Sequence, residues 1–579
     1  MKGMNKATLK KILHTLKPYA GYLVCTVLLA LVTVAGQLAV PFFAGRAVDF
    51  IVGRGNVDYA ELCRIFGAIG GCIALSGAAQ WLMNVCNNRV AYHVLADLRK
   101  AAFEKIEKLP LKILDARAYG EVASVVVTDA DQFSEGLLLG FTQFFTGITT
   151  IVGVLGIMLF LRWEIALIVF CLTPMSLLTA RFIASRTYKM FKEQAIARAD
   201  ETAFIDEMIG NLKVVKAYGH EDENEETFRE KNETLRKKSL SAVFLSSTTN
   251  PTTRFVNSIV YSCVAFAGAM FALFAGGFSV GNLTTFLSYS NQYTRPFNEI
   301  SEVVTEFQNA LACAARVFAL IEEEEEPPDD GLKELHDVRG EVALCGVDFS
   351  YTPEQPLIED MTFTAHAGKR IAIVGPTGCG KTTLINLLMR FYDVNGGAVT
   401  VDGKDVRNIT RHSLRKNIGM VLQDTWVKEA TVRENLCMGA PNCTEEEMIA
   451  AAKAAHAHSF IMRLPEGYDT VLSGEGALSQ GQKQLLCIAR VMLCRPPMLI
   501  LDEATSNIDT RTERIVQDAF SELMQGRTCF IVAHRLSTIE TADLILVMKA
   551  GKIIEQGTHR ELLKRGGFYA ELYEAQFAG

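Results

Sequence analysis

The sequence predicts two domains of different class. Residues 1–321 read as an all-α domain of six membrane-spanning helices with long cytosolic helical extensions. Residues 337–579 read as an α/β domain of the P-loop NTPase type, and an acidic, proline-containing linker over 322–336 separates the two. Three observations carry this prediction: charge-free runs cluster before residue 295, a glycine-rich loop follows a short apolar strand near 375, and "EEEEEPPDDG" (322–331) stands between them. The chain has 579 residues, enough for two or three sizeable cores, and its net charge of −7 without a strongly basic domain argues against a nucleic-acid partner.

The spans come first along the chain. A helix needs about 20 apolar residues to cross a bilayer. The uncharged runs Pro18–Gly45, Ile65–Asn88 and Gly136–Leu161 fit, and Ile165–Ala180 follows after only Arg162-Trp163-Glu164. Phe255–Thr294 is too long for one span, and "AGGFSVGN" (275–282) divides it. The expected spans are about 18–45, 65–88, 136–161, 163–183, 255–275 and 281–301.

Orientation follows from lysine placement. The first 17 residues carry five lysines and no acid, which holds this arm in the cytosol and predicts a plasma (inner) membrane protein with both termini cytoplasmic. The apolar run behind that arm is too long for the core of a cleavable signal peptide. The links at about 89–135 and 181–254 are then cytosolic and long, and their helical patterning extends the spans as amphipathic rods. "DARAYGE" and "GNLKVVKAYGHE" are the expected tips, placed to touch a soluble domain. Fourteen cysteines form no CxxC pair, which suits a reduced, cytosol-facing protein.

Polar groups inside spans are candidates for a transport path: Gln37, Gln80, Asn84, Asn257, Asn291, Gln292 and Arg295. Helix-to-helix hydrogen bonding, or snorkelling for the arginine, explains each one equally well. The linker glutamates read as a solvated boundary.

In the soluble half, "IAIVGPTGCGKTT" joins a buried strand to a phosphate-binding loop. The loop formed by Gly375, Pro376, Thr377, Gly378, Cys379 and Gly380 curls the backbone N–H groups of its non-proline residues around an anion. Lys381 reaches the β and γ oxygens, the Thr382 hydroxyl ligates Mg²⁺, and Thr383 continues the helix start. "MLILDE" is a second strand ending in Asp502, suited to Mg²⁺ or its water, with Glu503 next to take a proton from attacking water. "CFIVA" is a third strand, leading to His534 as a contact for the γ-phosphate or the water. Gln423 stands at a similar strand end and completes the Mg²⁺ shell. Ser479, in "ALSQGQKQLL", reads locally as a helix N-cap.

With these residues in hand, the chain resembles an ATP-binding cassette (ABC) transporter of the six-helix exporter type over nearly its whole length. The carrying motifs are "GPTGCGKTT" (Walker A), Gln423 of "VLQDTW" (Q-loop), "LSQGQ" (signature), "LILDE" (Walker B), "SNID" (D-loop) and His534 of "VAHR" (H-loop). The resemblance implies ATP and Mg²⁺, with Tyr351 stacking on adenine and Glu503 and His534 in the catalytic role. It also implies a dimer of half-transporters. There Ser479, Gln480, Gly481, Gln482 and Asp509 face the ATP held by the partner's Walker A loop. The cargo it implies is an exported hydrophobic or amphiphilic small molecule, multidrug or lipid-like, with membrane lipid as a further partner.

An importer built on the same fold, or a peptide exporter, is the nearest alternative. Non-transporting ABC ATPases and ATP-binding scaffolds fit the spans and intact motifs poorly. Three departures stand out. Gln480 replaces the commonest glycine, as in one chain of bacterial heterodimeric multidrug exporters, so a heterodimer is expected and a homodimer is the alternative. Val427-Lys428 replaces a usual Leu-Phe, and Cys379 stands in the P-loop beside Lys381, where a thiolate is favoured.

Overall fold

In a computed structural model, the backbone is described over residues 6–51, 57–274, 278–422, 425–473, 478–502, 510–532 and 536–577. It divides into two compact units. One comprises residues 1–107 with 119–323, and the other comprises 108–118 with 324–579.

The first unit is helical. A short basic helix, α1 (Lys6–Leu16), precedes α2 (Ala20–Asp49) and α3 (Tyr59–Ile106). After α4 (Leu111–Asp115), which packs with the second unit, come α5 (Tyr119–Ser124), α6 (Ala130–Leu161) and α7 (Trp163–Gly210). Then follow α8 (Leu212–Tyr218), α9 (Glu221–Ser247), α10 (Thr249–Phe274) and α11 (Val280–Ile321). The expected spans fall within α2, α3, α6, α7, α10 and α11. By length and hydropathy, four stretches among the described residues qualify: 10–49, 59–106, 119–161 and 221–274. Trp163–Met175 is a shorter apolar helix.

The rods are real. α3 and α7 each run 48 residues, which at 1.5 Å per residue is about 72 Å, well beyond a bilayer core. The first expected tip holds a short turn, and the second is largely a short helix. Ala116–Ala118 lies between α4 and α5, and α8 is closed by Gly219 in the left-handed region at φ 65°.

This unit turns its polarity inward. Leu28, Trp81, Phe160 and Phe266 are exposed, while Thr26, Asn87 and Thr173 are buried. Lipid tails are as apolar as leucine, so close packing and polar contacts must join the helices. Thr26 donates to Asn87 Oδ1 at 2.7 Å, and Asn87 Nδ2 donates to Thr142 at 3.0 Å, linking α2, α3 and α6. Tyr289 and Thr285 of α11 donate to the carbonyls of Leu38 and Pro41 in α2. Further along, a side chain at Gly45 would strike Thr285 and the backbone of Gly281, so the two helices need that glycine to touch. Asp129, in a π-turn before α6, accepts two bonds of 2.6 Å from Arg316 of α11.

The second unit is α/β. Strands β1 (Val342–Phe349), β2 (Ile358–Ala365), β4 (Gly396–Val401) and β5 (Lys404–Asp405) form an antiparallel sheet in the order β2-β1-β4-β5. The other six are β3 (Arg370–Val374), β6 (Ile418–Val421), β7 (Met498–Asp502), β8 (Thr528–Val532), β9 (Leu544–Lys549) and β10 (Lys552–Gly557). They pair in the order β10-β9-β3-β8-β7-β6, parallel throughout except for β10. β3, β7 and β8 are near-continuous apolar runs, as strands buried on both faces must be.

The linker corrects one expectation. Its acids are not simply solvated: buried Arg411 donates to Asp329 at 2.8 Å and to the Pro327 carbonyl at 2.9 Å, and its backbone N–H also reaches Asp329. Glu326 lies 3.7 Å from both Arg411 and Arg415. The linker's end is therefore fastened onto the second unit.

Candidate functional site

The parallel strands set the site. In open α/β sheets, ligands bind at the carboxyl ends of the strands. β3 runs into the glycine loop, β7 ends at Asp502, β8 ends at Val532 and β6 ends at Val421. The register sets Asp502 opposite Val532, and Val532 opposite Ile373 at the foot of the loop. Gln423, Glu503 and His534 come within two residues of these ends, Asp509 comes later in the chain after β7, and all four lie outside the described residues.

Gly378 (φ 80°) and Gly380 (φ 103°) take the left-handed backbone that bends the loop into α12 (Lys381–Leu388). Lys381 Nζ donates to the carbonyls of Gly375 at 2.8 Å and Pro376 at 3.0 Å, which holds the ammonium over the loop. Pro376, Thr377 and Thr382 are exposed, and Thr383 is buried. Cys379 is 3% exposed and belongs to the core beneath the loop. Its sulfur lies 3.9 Å from Lys381 Nζ, but burial withholds it from the solvent access that a reactive thiolate needs.

Tyr351 stands beside α12. Its hydroxyl donates to Thr383 at 3.2 Å and accepts from Asn386 at 3.3 Å. Its ring lies edge-on to Phe349 and to Tyr392, each at 5.0 Å. Tyr392 is buried and donates to Asp115 Oδ2 of α4 at 2.6 Å. Burial and the adjacent carboxylate push its phenol upward, so it remains a proton donor. Sequence reasoning missed both members of this pair, because 277 residues separate them.

The "LSQGQ" segment opens a helix over Gln480–Cys494 with a capping box. Gln482 N–H donates to Ser479 Oγ at 3.3 Å, and Ser479 N–H donates to Gln482 Oε1 at 2.9 Å. Ser479 is an exposed N-cap, and among the described residues its own hydroxyl proton is left to donate elsewhere. The cap reading and the phosphate reading are therefore compatible. Gly481 is buried. Gln480 is exposed and reaches across to Thr425, in the Q-loop stretch, at 3.2 Å. Arg490 of the same helix donates to the Asn435 carbonyl at 2.8 Å and to its side chain, and that side chain brackets Lys428 with two bonds of 2.9 Å. The unusual Val427-Lys428 stretch is thus strapped to the signature helix.

Of the expected path residues, Gln80 and Asn84 share a hydrogen bond, at 3.4 Å along one face of α3. Gln37, Asn84, Asn291 and Arg295 are exposed. Among the described residues, Asn257 Oδ1 and Gln292 Oε1 are buried acceptors without a donor. Asn87, which continues the Gln80–Asn84 spacing by three residues, is the buried member that the sequence reading passed over.

Comparison with known proteins agrees with this architecture. Residues 23–297 match the ABC transporter transmembrane region and residues 358–506 match the ABC transporter domain. The chain is 39% identical over 575 residues to the ABC transporter ATP-binding protein YfiC of Bacillus subtilis (strain 168), covering 99% of this chain and 94% of that one. It is 39% identical to a fatty acid ABC transporter ATP-binding/permease protein of Mycobacterium bovis, covering 91% of this chain and 83% of that one. It is 35% identical to the putative multidrug export protein YgaD of B. subtilis, covering 98% and 99%. A bacterial Atm1-family ABC exporter solved with ATP bound superposes with TM-score 0.76 at 29% identity, covering 97% of this chain and 99% of that one. The chain belongs to the ABC transporter family: it is an exporter-type, ATPase-coupled transporter with a helical transmembrane domain and an ATP-binding domain in one polypeptide.

Proposed function

We propose that this chain is half of a dimeric exporter in which each ATP is clasped by the P-loop of one chain and the signature helix of the other. The observation that carries the reading is the exposed start of the signature helix. Among the described residues the Ser479 hydroxyl proton has no acceptor, and it stands beside a positive helix end; those are the donors an opposing γ-phosphate needs. The exposed tip α8 adds support, since Leu212, Val214 and Tyr218 present large apolar side chains at its surface, which suits contact with a second chain.

Within each clasp, Gly375–Thr383 cradle the phosphates, Lys381 neutralises the β and γ oxygens, and Tyr351 stacks on adenine. Thr382 and Asp502, joined by Gln423, form a hard-oxygen donor set that fits Mg²⁺, an ion that offsets phosphate charge when bound. Glu503 takes the proton of the attacking water and His534 contacts the γ-phosphate. Ser479, Gln480, Gly481, Gln482 and Asp509 serve the partner's nucleotide. ATP binds the closed dimer better than the open one, and that difference drives the membrane unit from inward- to outward-facing.

The cargo we infer is hydrophobic or amphiphilic. Relatives are named for fatty acid transport and for multidrug export. The buried acceptors of Asn257 and Gln292 offer a donor-bearing cargo a place to hydrogen-bond. Both termini are cytoplasmic in the plasma membrane. A heterodimer is the preferred assembly, because Gln480 marks this chain as one of an unequal pair. The test is reconstitution in lipid vesicles of the chain alone and with a co-expressed half-transporter. Cargo-stimulated ATPase only in the mixed complex supports the heterodimer, and full activity of the chain alone overturns it.

A further inference from the structure

Tyr351 does not stand by itself. Tyr392 meets it ring-edge to ring-face at 5.0 Å and 88°, and Phe349 closes the triangle, 5.0 Å from Tyr351 and 5.7 Å from Tyr392. Such edge-to-face contacts fix a ring's tilt as well as its place. What holds Tyr392 comes from elsewhere in the sequence. Its hydroxyl donates to Asp115 at 2.6 Å, a length typical of a hydrogen bond to a charged acceptor. Asp115 is the last residue of α4, the five-residue tip on the stretch 108–118 that packs with this unit while the chain on both sides belongs to the helical one. A second bond anchors the stretch, Glu326 N–H donating to the Lys108 carbonyl at 3.0 Å.

We propose that Asp115 is a positioning residue for the nucleobase: through Tyr392 it sets the tilt of Tyr351, so that the α4 tip senses whether a purine is stacked there. The inference rests on Tyr351 being the base-stacking aromatic proposed above. A base settling on the Tyr351 face presses on a ring whose edge contacts are tied to α4. Equally, a displaced α4 loosens the stacking platform. Coupling of this kind is reciprocal, so the same link lets the state of the tip alter nucleotide affinity.

The test is steady-state ATPase of the full-length transporter in lipid vesicles, comparing ATP with UTP in wild type, Tyr392→Phe, Asp115→Asn, Asp115→Ala, the double variant Tyr392→Phe/Asp115→Ala, and Tyr351→Ala. Tyr392→Phe keeps the ring and removes only the bond. It is expected to raise KM for ATP about twofold to tenfold, the worth of one hydrogen bond, with kcat held within about twofold. The ATP-over-UTP preference falls with it, because a smaller base has less stacking to lose. Asp115→Asn, which still accepts weakly, lies between wild type and Asp115→Ala, and the double variant is no worse than the more affected single one. If Tyr351→Ala raises KM while Tyr392→Phe and Asp115→Ala leave KM and base preference unmoved, or if the two changes simply add, the positioning role is wrong and the base-stacking reading stands. If Tyr351→Ala also leaves KM unmoved, the base-stacking reading itself fails, and this inference with it.

Discussion

The two units solve opposite solvent problems with the same twenty residues. In the α/β unit, apolar side chains fill two cores on the faces of the sheet, and polar chemistry collects where strands end. In the helical unit large apolar side chains such as Phe160 face outward, and hydroxyls and amides such as Thr26 and Asn87 are inside. A motif at a strand end is read from a few consecutive residues. A polar pocket between helices is assembled from residues tens of positions apart, and no single stretch announces it. That difference decides which parts of the transporter the sequence discloses.

The comparison breaks most sharply at catalysis. Replacing Glu503 by Gln is expected to keep ATP binding and slow turnover by about 10²–10⁴-fold, the usual contribution of a general base, measured as phosphate release at saturating ATP. Normal turnover would remove Glu503 from that role. Next is the fastening of the linker. Arg411→Ala strips a buried guanidinium from Asp329 and Glu326, and should lower the stability of the α/β unit by about 1.5–3 kcal/mol, seen as an earlier thermal transition. A third change separates two roles of one residue. Ser479→Ala costs about 1 kcal/mol of stability as a lost N-cap, so a turnover defect much larger than that shift would reflect a role outside its own helix. The smallest effect belongs to the membrane unit. Thr26→Val, breaking one bond of the Thr26–Asn87–Thr142 chain, should cost only about 0.6 kcal/mol, because the unfolded-in-membrane state finds other partners. A loss well above 2 kcal/mol in detergent unfolding would show that the membrane unit relies on polar contacts as heavily as the soluble one.

Against this background, the legible parts make physical sense. The strand–loop–helix from Arg370 to Leu388 was readable because a backbone that curls around an anion demands glycines at fixed places. The α3 and α7 rods were readable because amphipathic patterning continues past the apolar runs. Tyr392 was not, since a tyrosine between a helix and a strand carries no mark of a hydrogen bond to a residue 277 positions away. The linker acids misled for a related reason: a run of glutamates looks solvated until Arg411 and Arg415, some eighty residues on, are folded against it. Asn87 escaped notice because it differs from Gln80 and Asn84 only in being buried. Cys379 shows the converse, a motif position whose chemistry depends on burial that no motif encodes.

A half-transporter of this kind works only if nucleotide held by one chain touches the signature of the other. The most direct measurement uses a cysteine-free background and an ATP analogue carrying a thiol-reactive group on its γ-phosphate. A chain with Ser479→Cys and its own P-loop disabled by Lys381→Ala is assembled with a partner whose P-loop is intact. The account predicts that the doubly substituted chain is labelled, and only when that partner is present. Labelling that requires an intact Lys381 on the same chain as Ser479→Cys would contradict it.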